Sequence, residues 1–167
     1  MPRPVILVMI SLFLECFWLP PAHQLFRDGL KSMLGRREDI EIVGEAEDGL
    51  AAVREIRRSR PALVLMDLSM PKMGGISVIK KVKREFPDIR ILALTIHESD
   101  QFVLEAFEAG ADGCCIKDAS RQELMLAIES VLEGKTYISP DISDQVMEGF
   151  ITSQRTLKKA SSWEEVT

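Results

Sequence analysis

The segment from Ala62 to Gly75, reading Ala-Leu-Val-Leu-Met-Asp-Leu-Ser-Met-Pro-Lys-Met-Gly-Gly, constrains the fold more than any other part of the chain. Leu63 to Met66 is an unbroken apolar run, too short for a helix and closed by Pro71 and by Gly74-Gly75. Such a run reads as a strand buried on both faces, the kind that parallel sheets use. The residue that ends it is Asp67. Open α/β sheets bind ligands in the crevice outside the carboxyl ends of their strands, so Asp67 is the first candidate for chemistry. Pro71 and the glycine pair then turn the chain, and the next amphipathic segment can cross back over the sheet.

The same alternation recurs along the chain. Val5 to Ile10 reads as a first strand, and His23 to Leu34 as a helix, because Leu25, Phe26, Leu30, Met33 and Leu34 fall at helical spacing before Gly35. Ile40 to Ala46 suggests a half-buried or edge strand, Asp48-Gly49 a turn, and Leu50 to Arg58 a helix that ends before Pro61. After the Asp67 strand come a helix over Ile76 to Phe86, a strand over Ile89 to Thr95, a helix over Asp100 to Ala109 and a strand over Asp112 to Ile116. Ser120 to Leu132 is a further helix, with Ser120 at its cap and Glu123 three residues on. Strands and helices in alternation predict an α/β fold, a five-stranded parallel sheet wound with helices on both faces. Tyr137 to Pro140 reads as a short connection, Asp141 to about Leu157 as a C-terminal linker helix, and Ala160 to Thr167 as a polar tail. One domain is therefore expected over residues 1–138, followed by a linker helix and tail over 139–167.

The N-terminus is the irregular part. Val5 to Leu19 is almost wholly apolar and is followed by Pro20-Pro21-Ala22, which superficially resembles a secretory signal peptide. Against that, Glu15 lies inside the run, the run is shorter than a membrane span, and removing it would cost the chain its first strand. The preferred reading keeps Val5 to Ile10 as a strand and treats residues 11–22 as an insertion with a greasy face.

At 167 residues and 46% hydrophobic content the chain can bury one core of ordinary size. A net charge of −5 argues against a protein that holds nucleic acid by its overall field. Cys16 and the adjacent Cys114-Cys115 make an odd count with no C-x-x-C, so reduced thiols in a cytoplasmic protein are expected, with no membrane partner. Nucleotide-binding glycine motifs are absent after the first strand, and no G-x-S-x-G accompanies His23 or His97, so nothing points to an ordinary enzyme. His97 lies two residues beyond Thr95 and is expected to line the crevice mouth rather than to bind metal.

Three polar residues end three successive predicted strands: Asp67, Thr95 and Lys117. In a parallel sheet those ends share one rim, so the three side chains can converge. A carboxylate nucleophile, a hydroxyl donor and an ammonium suit a phosphoryl group, with Asp67 accepting it, Thr95 donating to one of its oxygens and Lys117 neutralising its charge.

With these residues in place the chain resembles the receiver domains of bacterial two-component response regulators, in the subgroup with LuxR/NarL-type output domains. The resemblance is carried by His23-Gln24-Leu25-Phe26-Arg27-Asp28-Gly29-Leu30, by Glu47-Asp48-Gly49, by Leu65 to Gly75, by Leu94-Thr95, and by Ala109-Gly110-Ala111-Asp112-Gly113 leading into Lys117-Asp118-Ala119. It implies a flavodoxin-like receiver fold and an aspartyl-phosphate made at Asp67 from the phosphohistidine of a sensor histidine kinase. It also implies Mg²⁺ beside Asp67, with the backbone carbonyl of Ser69 as one ligand. Homodimerisation is plausible by the same analogy, and transcription would be regulated through a DNA-binding output domain that residues 139–167 are too few to form. These residues alone are expected not to bind DNA.

Two departures qualify the resemblance. Receivers of this group place an acidic pair between the first strand and the histidine corresponding to His23, and the pair holds the Mg²⁺. This chain has Met9-Ile10 at the strand end and Pro20-Pro21-Ala22 before His23, leaving Glu15 as the one acid in the insertion. Weakened Mg²⁺ binding follows, and with it an alternative function: a phosphorylation-impaired receiver-like module that signals by dimerising or by occupying a partner. The second departure is Cys114, three residues before the lysine, where the family often carries a switch aromatic. A small buried thiol is the expected role there.

Overall fold

The computed structural model describes residues 5–9, 22–46, 48–68, 74–95, 100–144 and 146–148, giving the backbone alone for 5–9, 22–27 and 100–101. Strands β1 (Val5–Met9), β2 (Glu41–Ala46), β3 (Leu63–Asp67), β4 (Arg90–Thr95), β5 (Gly113–Ile116) and β6 (Tyr137–Ile138) form one sheet in the order β2-β1-β3-β4-β5-β6. Every pairing is parallel. Helices α1 (Ala22–Gly35), α2 (Gly49–Ser59), α3 (Gly75–Glu85), α4 (Asp100–Ala109) and α5 (Arg121–Leu132) link the strands. The order reverses direction after β2, as in doubly wound sheets.

The period of two along the strands divides the core between the sheet's faces. Val64 and Met66 of β3, Ile91 and Ala93 of β4, and Cys114 of β5 pack with α2, α3 and α4. Leu63 and Leu65, Leu92 and Leu94, and Cys115 pack on the other face with α1 and α5. The vicinal cysteines thus serve opposite cores, and both are free thiols. Burial pushes the Cys114 thiol up to about 12 and that of Cys115 to about 11, which keeps both protonated at neutral pH. Iodoacetamide should therefore leave the Cys114-Cys115 peptide unmodified in the folded chain and label it readily in denaturant, as peptide mass mapping would show. Rapid native labelling would contradict this burial.

Local chemistry accounts for most boundaries. Asp48 caps α2, its side chain accepting the Ala51 N–H at 2.9 Å, and Ser120 caps α5 by accepting the Glu123 N–H at 3.1 Å. The helix expected from Leu50 begins one residue earlier, on the buried Gly49. Asp112 was expected to open β5, but its carboxylate instead ties neighbouring elements together. It accepts the Ile91 N–H at 2.8 Å and meets Lys83 at 2.6 Å, and β5 starts at Gly113.

One element exceeds the sequence reading. Tyr137-Ile138, expected within a connection, adds β6 at the sheet edge, too short at two residues to show a period in sequence. Residues 140–144 and 146–148 are helical, at the start of the expected linker helix, whose remainder to Leu157 lies outside the described residues. At the N-terminus, Val5–Met9 enters the sheet between β2 and β3, as expected of a first strand. The rest of the apolar run, including Ile10, Glu15 and Cys16, lies outside the described residues.

Candidate functional site

The strand register staggers the three strand-end residues along one rim. Asp67 pairs with Leu94, which puts Thr95 one step further out on β4; Thr95 pairs with Ile116, which puts Lys117 one step beyond β5. The Lys117 N–H donates to the Thr95 carbonyl at 2.9 Å, continuing the ladder past the end of β5. Lys117 Nζ lies 2.5 Å from Asp67 Oδ2, with side chains 7% and 1% exposed. A carboxylate withdrawn this far from water requires a countercharge, and the ammonium provides it. Thr95 is buried at 2% exposure.

The rim is built by packing on the faces beneath it. Leu63 to Met66 are wholly buried between the two helical layers and leave β3 little freedom. Gly75, the first residue of α3, lies directly against the Asp67–Leu68 backbone. The Leu68 N–H donates to the Leu94 carbonyl at 3.1 Å, so the chain leaving Asp67 stays bonded to β4. A contact that the sequence did not reveal lies one residue before Lys117: Ser139 is fully buried, and its hydroxyl accepts the Ile116 N–H at 3.2 Å. A serine before a proline and a helical stretch is an N-cap signal, and only the fold shows that it also reaches β5.

Ser69, Glu15 and His97, singled out in the sequence, lie outside the described residues. Those that are described do not make a magnesium cage. Among them no group of three or more His, Cys, Asp or Glu side chains could hold a metal ion. Hard cations need several oxygen ligands, and the Asp67 carboxylate is already engaged by Lys117. On β1, Met9 pairs with Met66, one position short of Asp67, and the chain continues with Ile10.

Comparison with known proteins agrees with this architecture. Residues 22–129 match the model of the response regulator receiver domain family, and the chain belongs to that family. It is 38% identical over 125 residues to the response regulator GacA of Pseudomonas protegens, covering 75% of this chain and 59% of that protein. To the transcriptional regulatory protein DegU of Brevibacillus brevis it is 32% identical over 128 residues, covering 77% of this chain and 54% of that one. The crystal structure of a LuxR-family two-component response regulator from Aurantimonas sp. SI85-9A1 superposes with a TM-score of 0.77 at 33% identity, over 88% of this chain and 97% of that one. These relatives place it in the LuxR/NarL-type subgroup as a receiver domain of a two-component response regulator. It spans little more than half the length of the curated relatives just named. Receivers of this family generally bind Mg²⁺, and its members are regulators rather than ordinary enzymes. Among the described residues no helix is long and apolar enough to cross a membrane.

Proposed function

We propose that Asp67 is the phosphoacceptor of a cytoplasmic response regulator and receives its phosphoryl group from the phosphohistidine of a sensor histidine kinase. An Asp67 carboxylate oxygen attacks phosphorus, the phosphorus–nitrogen bond breaks, and the imidazole nitrogen leaves with the electron pair and takes up a proton. Lys117 stabilises the charge that gathers on the phosphoryl oxygens, and Thr95 donates a hydrogen bond to one of them. Residues 1–138 form the receiver, and 139–167 form a linker helix and tail toward an output domain that regulates transcription. Homodimerisation accompanies signalling.

The observation that carries this reading is the 2.5 Å contact between Lys117 and Asp67 at the sheet's carboxyl rim. One observation favours a second reading, an interaction module that signals without phosphorylation: β1 ends on Met9 and the sequence continues with Ile10, with no acid where the family carries its metal-holding pair. We infer that Mg²⁺ binds weakly here and that phosphorylation is slow rather than absent. Incubation with acetyl phosphate and Mg²⁺, followed by intact mass, separates the two. Slow gain of one phosphoryl group, lost in Asp67→Asn, is expected. No gain over prolonged incubation, or gain that persists in Asp67→Asn, would overturn the assignment of Asp67.

A further inference from the structure

Lys117 is fixed through its backbone as well as its ammonium. Its N–H is bonded to the Thr95 carbonyl on one side of β5. On the other side, the N–H of the preceding Ile116 donates to the Ser139 hydroxyl at 3.2 Å. Ser139 is cut off from water, so its own proton needs an acceptor within the protein. It donates to Glu123 Oε1 at 2.8 Å, and the Tyr137 hydroxyl donates to the same oxygen at 3.3 Å. The ladder between β5 and β6 stops at the pair Cys114–Ile138. Past that point the Ser139 side chain does what the carbonyl of another strand residue would have done.

Ser139 also opens the C-terminal helical stretch. Its carbonyl accepts the N–H groups of Ile142 and Ser143, each at 3.0 Å, and Ile142 is fully buried in the core shared with α2, α3 and α4. One residue therefore joins the peptide before Lys117 to the first turn of the segment that leaves the domain. The family's usual readout is an aromatic three residues before the lysine, and this chain has Cys114 there, with no ring to swing.

We propose that Ser139 is a positioning residue for Lys117, and that through its hydroxyl a change at the Asp67–Lys117 pair is passed to the C-terminal helical stretch. The physiological trigger rests on the reading of Asp67 as phosphoacceptor. When negative charge grows on that carboxylate, the ammonium must follow it. The end of β5, bonded on both edges, then carries the displacement to Ser139, Glu123 and Tyr137.

Tyr137 is the only tyrosine, so the full chain grown with meta-fluorotyrosine gives a single fluorine NMR resonance beside the network. Lys117→Met removes the ammonium without any phosphorylation. It should shift that resonance in the otherwise unaltered chain, lose the shift in a Ser139→Ala background, and retain it in Ser139→Thr, which keeps the hydroxyl; circular dichroism establishes that each variant is folded. No shift on Lys117→Met, or an equal shift with and without the hydroxyl, overturns the proposal. Adding acetyl phosphate to the same samples, with intact mass read in parallel, keeps the two ideas apart. An unchanged mass counts against Asp67 as acceptor, while the Lys117→Met comparison still decides the role of Ser139.

Discussion

Gly75→Ala is expected to destabilise the receiver by about 2–3 kcal/mol, the upper part of the range for forcing an extra carbon into a closed core, because the added carbon meets backbone atoms. Its neighbour Gly74→Ala should stay within about 0.5 kcal/mol of the parent. A Cβ on Gly75 would lie 2.5 Å from the Asp67 carbonyl oxygen and 2.7 Å from the Leu68 Cα. Both are backbone atoms of a strand end fixed in the sheet, so neither can rotate aside as a flexible side chain would. At Gly74 nothing lies within 4 Å of the added carbon, and its φ of −59° suits any residue. Gly→Ala ordinarily favours a helix by up to about 1 kcal/mol, and here the contact must outweigh that gain. For a domain of this size, thermal unfolding should show Gly75→Ala lower in Tm by roughly 4–12 °C, with Gly74→Ala close to the parent. Equal Tm values for the pair would mean that α3 can start elsewhere without cost. The contact also bears on chemistry, because a Cβ at Gly75 would press on the backbone that carries Asp67.

The wound sheet was legible because its strands and helices differ in period and its breaks are chemically marked. The Leu63 to Met66 run of β3 is apolar and buried at every position, while α2 and α3 bury one stripe each. The rim was legible for a related reason: strand ends in a parallel sheet share an edge, so residues 28 and 22 positions apart in sequence fall on neighbouring strands. What sequence could not supply was contact between elements. Glu123, placed by its spacing from Ser120 as half of a capping box, turns its carboxylate to Tyr137 and Ser139. Only the course of residues 133–139 beside β5 decides between those uses. Gly75 looked like half of a turn, and its close approach to Asp67 depends on where α3 crosses the sheet.

Replacing Met9 and Ile10 together by aspartate should strengthen Mg²⁺ binding by at least tenfold. Met9, the last residue of β1, pairs with Met66, the residue before Asp67. The family's acid pair lies between this strand and the histidine at position 23, and here Met9-Ile10 and Pro20-Pro21-Ala22 carry no charge, leaving Glu15 as the one acid between them. One carboxylate about 4 Å from a divalent ion contributes roughly 2 kcal/mol at a dielectric of 80 and 8 kcal/mol at 20, before the ion's dehydration is counted. Since about 1.4 kcal/mol is a factor of ten in affinity, even the weak limit for a single acid suffices. Dehydration and the mutual repulsion of three carboxylates set the cost, and the second effect is also why the ion would be needed: without it the doubly substituted chain should lose stability. Calorimetric titration with Mg²⁺ at fixed ionic strength, and thermal unfolding with and without the ion, measure both sides. A large gain in Tm on adding Mg²⁺ to the substituted chain, against a small one for the parent, is the expected pattern. A parent that already binds Mg²⁺ as tightly as the substituted chain would mean that other donors, Glu15 foremost, reach the rim, and a metal-poor rim could no longer account for slow phosphorylation.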